Sequence, residues 1–177
     1  MHMPKTKKML SDINAPYIQS LMKFIETQSK STLARWAADY AEQVLLPLWS
    51  REYPGDLRPQ NALQAARECL SGAVGLPQAK EAVLACRTAA REAEANPAAQ
   101  AAARAIGQCA STVYSAGQCI GLPLYGALAV AYDALGTSAS WEQLEWRAAD
   151  ECGRMLEALR AVSVDSEPNP AKIDWKC

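Results

Sequence analysis

Residues 97–113 read Pro97-Ala98-Ala99-Gln100-Ala101-Ala102-Ala103-Arg104-Ala105-Ile106-Gly107-Gln108-Cys109-Ala110-Ser111-Thr112-Val113, and this stretch decides the fold. Ala99, Ala103, Ile106, Ala110, Val113 and Gly117 recur at alternating steps of four and three, which is one face of an α-helix. Nearly every side chain on that face is small, so a neighbouring backbone can approach to about 8 Å, the short end of helix packing distances. Alanine is also the strongest helix former. Residues 97–116 are therefore expected to form a central helix.

The pattern extends outward on both sides. Asn96 is a suitable N-cap, and proline fits the first position of a helix. Pro59 and Pro77 open two earlier segments in the same way, so helices are expected over 59–74 and 77–94, with Gly75 and Leu76 as stop and restart. Short loops between them make consecutive helices antiparallel. Further upstream, Ile18, Leu21, Met22 and Ile25 share one side of a helix within 12–28, and Ser29-Lys30-Ser31-Thr32 breaks and caps the chain. Leu33, Ala37, Tyr40, Ala41, Val44 and Leu48 form the next stripe, with Arg35, Asp39 and Glu42 opposite. Pro47 lacks a backbone donor and is expected to kink or end that helix near Leu46.

Downstream, Gly117, Gly121 and Pro123 bend the chain before a helix over 124–135, with Leu124, Leu128, Ala131 and Leu135 as its stripe. Ser140 and Gln143 form a capping box for a last helix over 141–162. Its inward positions are Trp141, Leu144, Ala148, Cys152, Met155, Leu159 and Val162. Glu142, Glu145, Arg147, Glu151, Arg154 and Arg160 take the solvated face. The fold class is all-α, an antiparallel multi-helix bundle of about six to seven helices around the alanine-rich one. A solenoid of helix pairs is the less favoured arrangement, because the segments share only generic alanine-arginine content. The expected organisation is a polar segment over 1–11, a single helical domain over 12–162 and a tail over 163–177, which Trp175 is placed to pin.

Composition narrows the function classes. Half of the residues are hydrophobic but only 7% are aromatic, so the apolar weight is mostly alanine. The net charge of -1, from 18 basic and 19 acidic residues, lacks the basic surplus of a dedicated nucleic-acid binder. Six cysteines (Cys69, Cys86, Cys109, Cys119, Cys152 and Cys177) include no C-x-x-C pair, and the one histidine is His2. No metal site and no cofactor are expected from that inventory. The cysteines read as small buried hydrophobes in a reducing cytoplasm, with Cys177 a free, exposed thiol. The longest apolar run, 120–135, is interrupted by Gly121, Pro123, Gly126, Tyr132 and Asp133 and is expected to fall short of the ~20 residues of a membrane span. Lys5, Lys7 and Lys8 are not followed by the apolar run of a secretory signal. The reading is a cytoplasmic protein with no membrane partner; a homodimer is left open.

No catalytic residue stands out. Without an internal histidine, Cys-His and Ser-His nucleophiles are not available, and no glycine-rich phosphate loop occurs. Asp39 with Glu42, and Asp150 with Glu157, read as ordinary exposed helix acids. Arg58 sits awkwardly at a cap position beside Asp56, which suggests a bidentate pair with Asp56, Asp39 or another acid. Asp39, Trp49, Asp56 and Arg58 are the partner-binding candidates, with Trp49 as an anchor beside the kink. Arg87, Arg91 and Arg104, together with Tyr114 and Tyr125 at the glycine-rich bend, are the cleft candidates.

These residues also carry a resemblance. Ala37-Ala38-Asp39-Tyr40-Ala41-Glu42-Gln43-Val44-Leu45, then Asp56-Leu57-Arg58-Pro59 opening the next helix, begin it. Ala89-Ala90-Arg91, then Ala103-Arg104-Ala105-Ile106-Gly107-Gln108-Cys109-Ala110, and finally Leu124-Tyr125-Gly126-Ala127-Leu128-Ala129 complete it. Together, residues 33–135 resemble the immunity protein family of bacterial polymorphic-toxin systems, specifically the fifth-numbered immunity type. The resemblance implies an all-α fold and a protein that binds and neutralises a cognate toxin. Members of that family carry histidines near the positions of Cys86, Tyr114 and Gln118, which this chain lacks. The alternative reading is a small-molecule-binding or regulatory helical protein with its cleft near Tyr114 and Tyr125. An enzyme with a carboxylate or cysteine centre ranks third.

Overall fold

The computed structural model describes residues 6–175; among them the regular elements are all helical. The α-helices are α1 (Pro16–Ile25), α2 (Lys30–Tyr40), α3 (Leu46–Glu52), α4 (Arg58–Leu70), α5 (Leu76–Glu92), α6 (Pro97–Ser111), α7 (Ala127–Leu135) and α8 (Trp141–Val162). A π-helical turn, Ala41–Leu45, fuses α2 to α3, and a 3-10 turn (Ala116–Ile120) with a second π turn (Leu122–Gly126) leads into α7. The eight segments therefore make seven rods. The caps are those the residues dictate. Ser29 Oγ accepts the Thr32 N–H at 3.2 Å, Asn96 Oδ1 accepts that of Ala99 at 3.1 Å, and Ser140 with Gln143 forms a full capping box.

The bundle closes around α6, which packs against α2, α3, α4, α5 and α7. From Ala99 to Val113 every residue of this stretch is buried except Arg104 and Gln108. The helix is shorter than expected, ending at Ser111, because the Ser111 and Thr112 hydroxyls both donate to the Gln108 carbonyl (2.8 and 3.1 Å) and satisfy it outside the helical ladder.

Pro47 does not end its helix. Ahead of it the chain widens into the π turn, where the Leu46 N–H donates to the Ala41 carbonyl five residues back. The widening adds one residue and rotates everything after it. Ala37, Ala41, Leu45 and Trp49 are buried, whereas Val44 and Leu48, assigned to the stripe, are half-buried. A second correction concerns Glu151, placed on the solvated face of α8. It is 3% exposed, and its carboxylate accepts the Tyr40 hydroxyl (2.6 Å) and Arg147 (3.1 Å). Those bonds offset the desolvation of a buried carboxylate. Burial and the Glu151 carboxylate together hold the Tyr40 phenol above its ordinary range.

A third correction concerns the apolar run. The rod Ala116–Leu135 does reach the length and apolarity of a membrane span, yet 61% of its apolar 18-residue window is buried within the protein, where α6 and α8 cover it. It packs as a core helix.

Segments on both sides of residues 12–162 pack onto them. Leu10 is buried, and its N–H donates to the Leu124 carbonyl at 2.8 Å. In the tail, the Gln28 side chain pairs with the Val164 backbone, the Ala171 N–H donates to the Gln28 carbonyl, and the Trp175 indole donates to Glu26. His2 and Cys177 lie outside the described residues.

Two glycines, one in α6 and one packed against it, differ sharply in the room around them. A Cβ at Gly121 would sit 2.3 Å from Gln108 Cβ, so the junction between the 3-10 turn and the second π turn lies directly on α6 there. A Cβ at Gly107 would meet Cys86 Sγ at 3.7 Å, an ordinary contact. Gly121→Ala is expected to destabilise by about 1–3 kcal/mol through overpacking. Gly107→Ala is expected to stabilise by about 0.5–1 kcal/mol, because it removes a glycine from a helix interior. Paired urea denaturation curves of the two variants check both signs.

Candidate functional site

The two residues that α6 leaves uncovered, Arg104 and Gln108, are four apart and so stand on one line of the helix. On α5, Arg87 and Arg91 are also four apart. The Ala93–Asn96 connection turns the chain back so that the two helices run antiparallel, and Gln100 Nε2 bonding to the Ala90 carbonyl at 2.8 Å fixes their register. The second π turn brings Tyr125 to the same place. Arg87, Arg91, Arg104, Gln108 and Tyr125 line one cavity of about 210 Å³.

No carboxylate lines this cavity. Arg91 donates to Thr88 Oγ1 at 3.0 Å, and neither Arg87 nor Arg104 forms an ion pair among the described residues. Three guanidinium groups around one opening give it a local positive field that the overall charge of -1 conceals. Gln108 and Tyr125 also line a larger cavity of about 890 Å³, bounded by Tyr114, Gln118, Ile173 and Trp175 among others. Burial raises the Tyr114 phenol above its ordinary value, and the Arg87 charge opposes that rise. Lys80 Nζ lies 5.4 Å from the centre of the Tyr114 ring. The structure thus gathers Arg87, Arg91, Arg104 and Tyr125 at one cavity and Tyr114 at its neighbour.

The four residues read from the sequence as a partner surface are occupied within the chain. Trp49 is 1% exposed; its indole donates to the Asp56 carbonyl at 2.9 Å and its ring stacks on Tyr53. A side chain with no accessible surface cannot anchor a partner, so Trp49 is corrected to a core residue. The π turn that rotates α3 put it there. Arg58 makes the bidentate pair with Asp56 (Nε to Oδ1 2.9 Å, NH2 to Oδ2 2.6 Å) and reaches Glu92 of α5 at 2.6 Å. Asp39 lies apart from them and shares Arg67 with Glu42, both at 2.9 Å.

Trp146 is the aromatic that sequence reading passed over. It is 81% exposed on α8, next to a shallow cavity lined by Tyr17, Trp141, Glu142, Glu145 and Ala149. A signal was present: Trp146 falls off the stripe running from Leu144 through Ala148 to Cys152, leaving a large aromatic ring on a charged face.

Four of the described thiols are buried. Burial pushes Cys86, Cys119 and Cys152 up to about 12 and Cys109 also well up, so all four are protonated at neutral pH and none offers a nucleophilic thiolate. Among the described residues no three His, Cys, Asp or Glu side chains converge on a common point.

The hydrogen bonds from Arg58 hold the Asp56 carboxyl below its ordinary value of 3.8. A depressed carboxylate stabilises the fold above its unfolded pKa, and that contribution is lost as pH falls through the lower, folded value. The stability difference between the native chain and Asp56→Asn is therefore expected to be constant above about pH 5 and to shrink on acidification below 3.8. Urea titrations of both proteins across that pH range check it.

No curated protein and no solved structure matches the chain. The sequence pattern of one family does, over residues 23–157, which runs from the end of α1 almost to the end of α8 and includes every residue of the arginine cavity. With that match covering most of its length, the chain belongs to the Imm-5 like putative immunity protein family.

Proposed function

We propose that this chain is an immunity protein that binds one cognate toxin in the cytoplasm and blocks it by occupying its surface, without chemistry of its own. The family match over residues 23–157 is the observation that carries this reading. The protonated, buried thiols support the non-catalytic part of it. Trp146 supports a place for the contact, because a tryptophan held 81% exposed on a rigid helix has the profile of a binding hot spot. An interface of ordinary size would bury roughly 800 Å² on each partner and extend from Trp146 over Tyr17 and Trp141. Asp39, Asp56 and Arg58 contribute only through atoms not engaged in their own pairs.

Co-expression with the toxin encoded beside it tests the proposal. The native chain is expected to restore growth and to co-purify with the toxin. Trp146→Ala is expected to keep its melting temperature and to weaken the complex at least ten-fold, corresponding to about 1.4 kcal/mol or more. Absence of both rescue and complex with the native chain would overturn the reading.

The cavity of about 890 Å³ beside Tyr114 and Tyr125 favours a second reading, a small-molecule or regulatory site in the same cleft.

A further inference from the structure

We propose that the cavity formed by Arg87, Arg91, Arg104, Gln108 and Tyr125 is a binding site for a small phosphate monoester with an aromatic body. The assignment rests on the second reading above for the location of the cleft and is independent of toxin binding.

Three observations lead to it. Arg87, Arg91 and Arg104 come from two helices and line one concavity in which no acid neutralises them. Elsewhere Arg51, Arg58, Arg67, Arg147, Arg154 and Arg160 all meet carboxylates. Arg35 stands alone on the exposed face of α2, so this opening is where unpaired arginines gather in one concavity. Guanidinium forks match the oxygens of phosphate, and three cations suit a dianion better than a single carboxylate. The Gln108 amide adds a neutral donor on the cavity wall.

The aromatic body follows from the wall that the two cavities share. Gln108 and Tyr125 line both, and beyond Tyr125 the larger space is bounded by Tyr114, Ile120, Leu124 and Trp175. A ligand with its phosphate among the arginines has an aromatic and aliphatic surface within reach for a flat ring. About 210 Å³ holds the phosphate end, and the neighbouring space takes the rest.

Isothermal titration calorimetry of the full chain at fixed ionic strength tests this with three probes: inorganic phosphate, phenyl phosphate and benzoate. Phenyl phosphate is expected to bind saturably at one site, at least ten-fold more tightly than inorganic phosphate and more tightly than benzoate. Arg87→Gln and Arg104→Gln are each expected to weaken it at least ten-fold, and Arg35→Gln, an exposed arginine on α2, to leave it unchanged. Arg87 is exposed on α5, so its variant remains informative should Arg104→Gln disturb the central helix. No saturable heat with either phosphate, or undiminished binding by Arg87→Gln, overturns the site. Benzoate binding as tightly as phenyl phosphate would make it a carboxylate site and overturn the ligand class. Equal affinity for the two phosphates would overturn the aromatic body. Each readout uses the isolated chain, so none depends on whether the toxin is neutralised.

Discussion

A helix approached from every side can accommodate its neighbours only where its own side chains are short, and α6 is such a helix. Its alanines allow α2, α3, α4, α5 and α7 to reach its backbone. The closeness of that approach is set at Gly121, whose missing Cβ is the space that Gln108 fills. Much else follows from this geometry. Rods meeting over small residues leave little tolerance for added volume, and interiors at that density convert one extra methyl group into strain. The same closure leaves Arg104 and Gln108 as the one line along 99–113 where the central helix meets solvent.

Charge is distributed around that packing in two ways. At the joints between rods, arginines act as ties. Arg58 joins the start of α4 to the end of α5 through Asp56 and Glu92, and Arg67 joins α4 to α2 and the π turn through Asp39 and Glu42. The buried Glu151 plays the converse part, an acid inside α8 that holds Tyr40 of α2 and Arg147 of its own helix. At the α5–α6 opening the pattern stops, and Arg87, Arg91 and Arg104 face a cavity without counter-charge. A near-neutral chain thus carries one uncompensated basic concavity and, on α8, one uncovered tryptophan among acids.

Much of the fold was legible because it rests on local chemistry. The proline starts at 59, 77 and 97, the Asn96 and Ser140 caps and the small-residue seam of α6 each specify their element without reference to distant residues. What escaped depends on one-residue shifts or on partners far along the chain. The extra residue of the Ala41–Leu45 turn has no sequence mark beyond Pro47, yet it moves Trp49 from the surface to the core. Glu151 looks solvated until Tyr40, 111 residues earlier, is brought against it. For the arginine cavity the sequence offered only three arginines among alanines; that α5, α6 and the second π turn bring them together with Tyr125 is a tertiary fact.

Membership of an immunity family and an uncovered tryptophan on the last helix together support the proposal of a protein that acts through its surface. Hydrogen exchange, measured on the chain alone and in the presence of the toxin proposed as its partner, tests that account most directly. It predicts that amides of α6 exchange most slowly in both states and that the toxin slows exchange in the first turns of α8 around Trp146. Rapid exchange throughout α6, or a toxin footprint that leaves α8 unchanged, would contradict it.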